Sequence, residues 1–127
     1  MSIPALSIQK IGQIALNAKN IPAATAFYRD VLGLKLLFSV GDRMAFFDCG
    51  GVRLMLSLPS SPELDHPSSI LYFQVPDIVA AFGLLQRHGV TIEQPPAMVA
   101  KMPDHELWLC GFRDPDGNIL ELMCEKR

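Results

Sequence analysis

The 127-residue chain is short of the features that mark several large classes of protein. It has three cysteines, Cys49, Cys110 and Cys124, and no C-x-x-C spacing, which argues against a disulfide framework or a structural zinc site. All three read as small apolar filler on strands. A formal net charge of −2 gives no field for holding nucleic acid or an anionic membrane. No apolar run approaches the length needed to cross a bilayer. The start, MSIPALSIQK, has neither the charged head nor the apolar stretch of a signal peptide, so a cytoplasmic protein is expected. What is present is half apolar and 19% charged, the balance of a globular chain long enough to bury a core as one domain.

The positive signal is an internal repeat. QIALNAKNIPAATAFYRDVLGLKLLF, from Gln13, is matched by ILYFQVPDIVAAFGLLQRHGVTIEQ, from Ile70. Each copy opens with a strand-like run and then offers a helix N-cap, Asn20 or Asp77, whose side-chain oxygen can accept an orphan amide bond. Each helix stops at a glycine, Gly33 or Gly89, suited to the left-handed position after a helix. Asn20 to Asp77 is an offset of 57, Gly33 to Gly89 of 56, and Gly51 to Gly117 of 66. The growth places extra residues in QPPAMVAKMPDHE, which has three prolines and no clear period and reads as a loop. The expected order is strand 10–17, helix 21–32 and strands 35–40, 43–49 and 52–58; then strand 69–75, helix 78–88 and strands near 91–94, 107–113 and 119–125. A Ser/Pro-rich linker, 59–68, separates module one (about 8–58) from module two (about 69–127) within a single domain, 1–127.

Alternation along strands then sorts side chains by face. Ile14, Leu16, Leu54, Leu56, Leu58, Leu71, Phe73, Val75, Leu120, Leu122 and Cys124 suit the helix side, with Ala24, Phe27, Val31, Ile78, Phe82 and Leu85 as the facing helix stripes. The opposite face collects Gln13, Arg53, Met55, Ser57, Ile70, Tyr72, Gln74, Glu121 and Met123. Such a mixed set reads either as the lining of a site or as the solvated side of an antiparallel sheet.

AFYRDVLGL in the first module, together with FRDPDGNILELM near the end, resembles the vicinal oxygen chelate superfamily of glyoxalases, bleomycin-resistance proteins and dioxygenases. The resemblance covers nearly the whole chain. It implies an α+β fold: two tandem βαβββ modules forming a cup-shaped mixed β-sheet, with helices on the outside. It also implies a homodimer, whose cup is built by one chain or shared between two. Enzymes of this superfamily hold a divalent metal at four positions, which map by motif onto Gln13, Met55, Ile70 and Glu121. Gln13 and Glu121 are donors of the expected kind, for an ion such as Ni, Zn, Mn or Fe. Ile70 offers no donor, and Met55 only a soft thioether, while even open catalytic zinc sites typically keep three protein ligands.

His105, in MPDHELW, is a candidate catalytic imidazole that could reach over the cup, or a solvated loop residue. Arg113 shares the predicted face with Glu121; it reads as a salt-bridge partner or, with Arg53, as an anion-binding patch. Gly111 would leave room on the cup floor. Two functions are consistent with this set. One is a glyoxalase-like enzyme of the lyase or isomerase type acting on a small oxygen-bearing substrate, with Glu121 and His105 as catalytic groups and Arg53, Met55, Ile70, Tyr72, Gln74 and Arg113 contacting substrate. The other is a metal-free protein that sequesters a small molecule in the manner of bleomycin-resistance proteins. The departures at Met55 and Ile70 argue against lactoylglutathione lyase activity itself.

Overall fold

The computed structural model describes residues 3–127. Among these residues eight strands and two α-helices occur in the order β1 (Gln13–Asn17), α1 (Ile21–Ala26), β2 (Lys35–Val40), β3 (Met44–Cys49), β4 (Val52–Ser57), β5 (Leu71–Gln74), α2 (Ile78–Arg87), β6 (Ile92–Lys101), β7 (Glu106–Arg113) and β8 (Ile119–Lys126), with a short 3-10 turn at Pro62–Leu64. They build two mixed four-stranded sheets with the same topology, β1-β4-β3-β2 and β5-β8-β7-β6. In each, the first strand runs parallel to the last and the remaining pairs are antiparallel. This is the paired βαβββ plan. Among the described residues no helix is long and apolar enough to cross a membrane.

The helix signals act as their chemistry requires. Asn20 Oδ1 accepts from Ala23 N and Asp77 Oδ1 from Ala80 N, both at 3.0 Å. Gly33 and Gly89 adopt φ of 74° and 72°. The first helix does not stay α-helical to residue 32, however. It widens into a π-helical turn over Phe27–Val31, closed by Leu32 N donating to Phe27 O.

One buried cluster draws on both modules, with Leu16, Tyr28, Phe47, Leu54 and Leu56 beside Ile78, Leu85, Cys110, Phe112 and Leu120. Phe27 meets Phe112 at 6.4 Å between ring centroids, so the first helix also packs toward the second sheet. The expected helix-facing residues are buried or packed against this cluster, except Leu58, which lies past the end of β4 and is exposed.

Two departures concern strands. QPPAMVAK is not a loop; it continues β6, whose pairing to β7 shifts register between Ile92 and Gln94, Gln94 and Ala97, and Met98 and Ala100. β6 is an edge strand, and Pro95 and Pro96 fall inside the second shift; edges and bulges are the places where a strand tolerates missing amides. The second departure is in β2. Leu36 pairs with Phe47 but Phe38 with Phe46, so Leu37 is an extra residue and alternation breaks there.

Candidate functional site

The face of each sheet turned away from the core carries the polar set expected from alternation. On the first sheet, Arg53 Nε donates to Gln13 Oε1 at 2.7 Å, and Gln13 Nε2 points at Met55 Sδ at 3.7 Å. Register places Gln13 beside Arg53, and Met55 beside both Ala15 and Phe46. The guanidinium of Arg53 lies 5.2 Å from the centroid of Phe46, and Phe46 stacks on Phe38 at 4.4 Å. Phe38 is not legible on this face in the sequence. Even spacing puts Phe38 with Leu36 on the core side, and only the extra residue at Leu37 turns it over.

On the second sheet, Tyr72 pairs in register with Glu121, and Gln74 with Met123. Across the sheet Gly111 lies opposite Glu121. A Cβ added at Gly111 would sit 2.6 Å from Glu121 Oε2, so the carboxylate occupies the space the missing side chain leaves. Withdrawal from water raises the Glu121 pKa above the ordinary carboxylate range. No hydrogen bond or ion pair among the described residues engages this carboxylate.

Arg113 is engaged elsewhere. Its Nε donates to Glu93 at 2.6 Å and its Nη1 to the Gly117 carbonyl at 2.7 Å. His105 stands at the far end of the β6–β7 hairpin, with Nδ1 2.8 Å from Asp104 Oδ1 and Nε2 4.0 Å from Glu125. The bond from His105, and then that from Arg127, hold the Asp104 carboxyl below its usual pKa. Glu125 lies four residues beyond Glu121 on β8, about 13 Å along a strand, so His105 belongs to a different polar cluster from Glu121.

Several grooves border the linker; one, about 480 Å³, is lined by Lys19 and linker residues, and two others are lined in part by strand residues. The larger, about 570 Å³, is lined by Asn17, Lys19, His66, Ile70, Arg113 and Asp116, among others. The smaller, about 270 Å³, lies over Ala15, Met55 and Ser57. Neither is lined by Gln13, Tyr72, Gln74 or Glu121; the first three are exposed on their strands and Glu121 is half-buried.

The four corners do not fit a firmly held divalent ion. Ile70 has no donor atom, Met55 has only its thioether, and Gln13 already uses its oxygen on Arg53. Among the described residues no three His, Cys, Asp or Glu side chains converge as a ligand set. The cysteines are unpaired; burial, and then the Glu121 charge, push the Cys110 thiol up to about 11, away from reactive thiolate.

Mirrored βαβββ units with a polar strand face define a fold of the vicinal oxygen chelate class. The chain belongs to the Glyoxalase/Bleomycin resistance protein/Dioxygenase superfamily, whose family model matches residues 10–122. No curated protein matches it significantly. Among solved structures it is similar to a superfamily member from Sphaerobacter thermophilus, at 27% identity and TM-score 0.76, over 94% of this chain and all of the other. An integron cassette protein from the V. cholerae mobile metagenome gives 26% identity and TM-score 0.74, over 94% of this chain and 98% of that one. A lactoylglutathione lyase from Agrobacterium tumefaciens shares the fold, with TM-score 0.74 at 24% identity over 94% and 96% of the two chains.

Proposed function

We propose that this chain is a glyoxalase-like enzyme of the lyase or isomerase type, in which Glu121 transfers a proton on a small oxygen-bearing substrate laid on the strand face. The observation that carries the reading is the free Glu121 carboxylate set against Gly111, with its pKa raised by burial. A carboxylate brought nearer neutral pH is a better general base than one in water. Glu121 would take a proton from a carbon next to a carbonyl, and the electron pair would move onto the carbonyl oxygen. Tyr72 and Gln74, on the neighbouring strand, carry the donors for that oxygen. Where the deprotonated carbon bears a hydroxyl, transfer of the hydroxyl proton to the former carbonyl oxygen and return of the abstracted proton to the former carbonyl carbon complete an isomerisation; departure of a leaving group from the carbon next to the deprotonated one completes an elimination. No step is assigned to a metal ion, because the donor set does not fit one.

Deuterium exchange from solvent into a panel of small α-hydroxyketones and 2-oxoacids, monitored by proton NMR, tests this reading. Glu121→Gln should slow exchange by about a hundredfold or more, the usual contribution of a positioned base. Equal exchange in the two proteins would remove Glu121 from the chemistry. The second reading, sequestration without turnover, draws support from the exposed Ile70 and Tyr72 on the same face, and predicts binding with no exchange at all.

We further propose that copies of the chain pair. Ile3, Leu6, Ile8 and Ile11, in the arm before β1, are all largely exposed, an apolar load that a lone chain leaves in water. A sedimentation mass equal to one chain at micromolar concentration would count against pairing.

A further inference from the structure

On the reading that the strand face binds substrate, we propose that the first module takes a planar aromatic group bearing an anionic substituent, with Phe38 and Phe46 as the stacking surface and Arg53 as the anion clamp.

Three observations converge on this. Phe38 is 47% exposed although it stacks on Phe46 at 4.4 Å, so part of its ring is open to a further partner. Phe46, at 8% exposure, stands outside the core cluster and is shielded by Phe38 and Arg53 instead. The extra residue at Leu37 is what aims Phe38 at this face, since even alternation would bury it with Leu36. An aromatic pair offset on a pleated surface presents a flat apolar shelf suited to another ring.

Charge completes the case. Arg29, Arg113, Arg127 and Lys19 each have a carboxylate within 4.0 Å. Arg53, like the other lysines and arginines, does not; what sets it apart is that its Nε is bonded to the neutral amide oxygen of Gln13 while its guanidinium lies over Phe46, with no ion pair to Asp48 directly across the sheet. Gln13 therefore fixes the guanidinium beside the shelf without cancelling its charge, and the terminal amino groups of Arg53 remain available to an anion. A ring lying on Phe38 with a carboxylate or comparable anion turned toward Arg53 meets both features. Acetate meets only one, and a cationic amine is repelled.

The test is ligand-observed NMR titration of the full chain with phenylacetate, benzoate, acetate and benzylamine. Phenylacetate or benzoate should bind at least tenfold more tightly than acetate or benzylamine. Phe38→Ala and Arg53→Met should each weaken the aromatic acid roughly tenfold, the loss of about one stacking or charge-assisted contact. Phe38→Tyr should retain binding. Both side chains lie off the core, so unchanged circular dichroism separates lost binding from lost folding. Binding is read without turnover, so absence of solvent exchange in the bound acid bears on the proton-transfer reading and absence of binding bears on this one. Indifference among the four probes, or unaltered binding in both Phe38→Ala and Arg53→Met, would overturn the proposal. So would dissociation of paired chains in Phe38→Ala with binding intact, because the shelf would then be a contact between copies.

Discussion

Gly111 and Glu121 form the most informative pair of residues in the molecule. Gly111→Ala places a methyl group 2.6 Å from Glu121 Oε2, at the end of a side chain that can swing aside. Stability should therefore change by no more than about 1 kcal/mol. Turnover should fall about tenfold, because the carboxylate leaves its place. Its raised pKa comes from burial, so a carboxylate pushed into water titrates lower, and the acid limb of the rate–pH profile should move to lower pH in Gly111→Ala. Steady-state rates across pH, set beside a thermal melt, check both parts. The same shift has a sign for stability. The ionised form is the costly one, so Glu121 favours folding below the ordinary carboxylate pKa, and that contribution is lost as pH rises through the raised value. Glu121→Gln escapes this loss and should equal or exceed the parent in neutral-pH melting temperature. Glu121 and Gly111 are both legible in the sequence, from the repeat and from alternation. The occupation of Gly111's empty side-chain space is not, because it depends on a rotamer.

At the scale of elements, caps and periods are legible in the sequence and bulges are not. The Asp77 cap has the geometry its sequence position predicts, and Asp77→Ala should cost about 1 kcal/mol, read as a lower urea midpoint at unchanged slope. The second half of strand β6 reads as a loop because prolines cannot donate to a ladder; at an irregular edge they do not need to. Phe38 is hidden for a related reason. One inserted residue in β2 reverses the face of the residues after it, and nothing in LKLLF marks where the insertion falls. The extra residues of the second module thus lengthen the β6–β7 hairpin, which carries His105 away from Glu121 to the partners Asp104 and Glu125.

At the scale of the whole molecule, the repeat foretells two matching sheets but not how they are locked together. That role falls to Asp114, 6% exposed, in the turn before β8. It accepts from Tyr28 Oη at 2.8 Å, from the backbone of Asp116 and Asn118, and from the Asn118 side chain. Asn118 then donates to the Asn17 carbonyl, so both contacts cross from one module to the other. Burial, and then the Asp114 charge, keep the Tyr28 phenol protonated far above its ordinary range. Tyr28→Phe removes one donor to a buried carboxylate that keeps three, and should cost about 1.5 kcal/mol in equilibrium urea unfolding. A change within error would place the junction's strength in its apolar packing. The irregular edge has a consequence of another kind. Pro95 and Pro96 leave a stretch of β6 without two amide donors, so a foreign strand arriving there finds a broken template. A chain with Met98, Val99 and Met102 exposed along the same border would otherwise be prone to stacking into fibrils when concentrated. The prolines that obscure the strand in the sequence also interrupt its open edge.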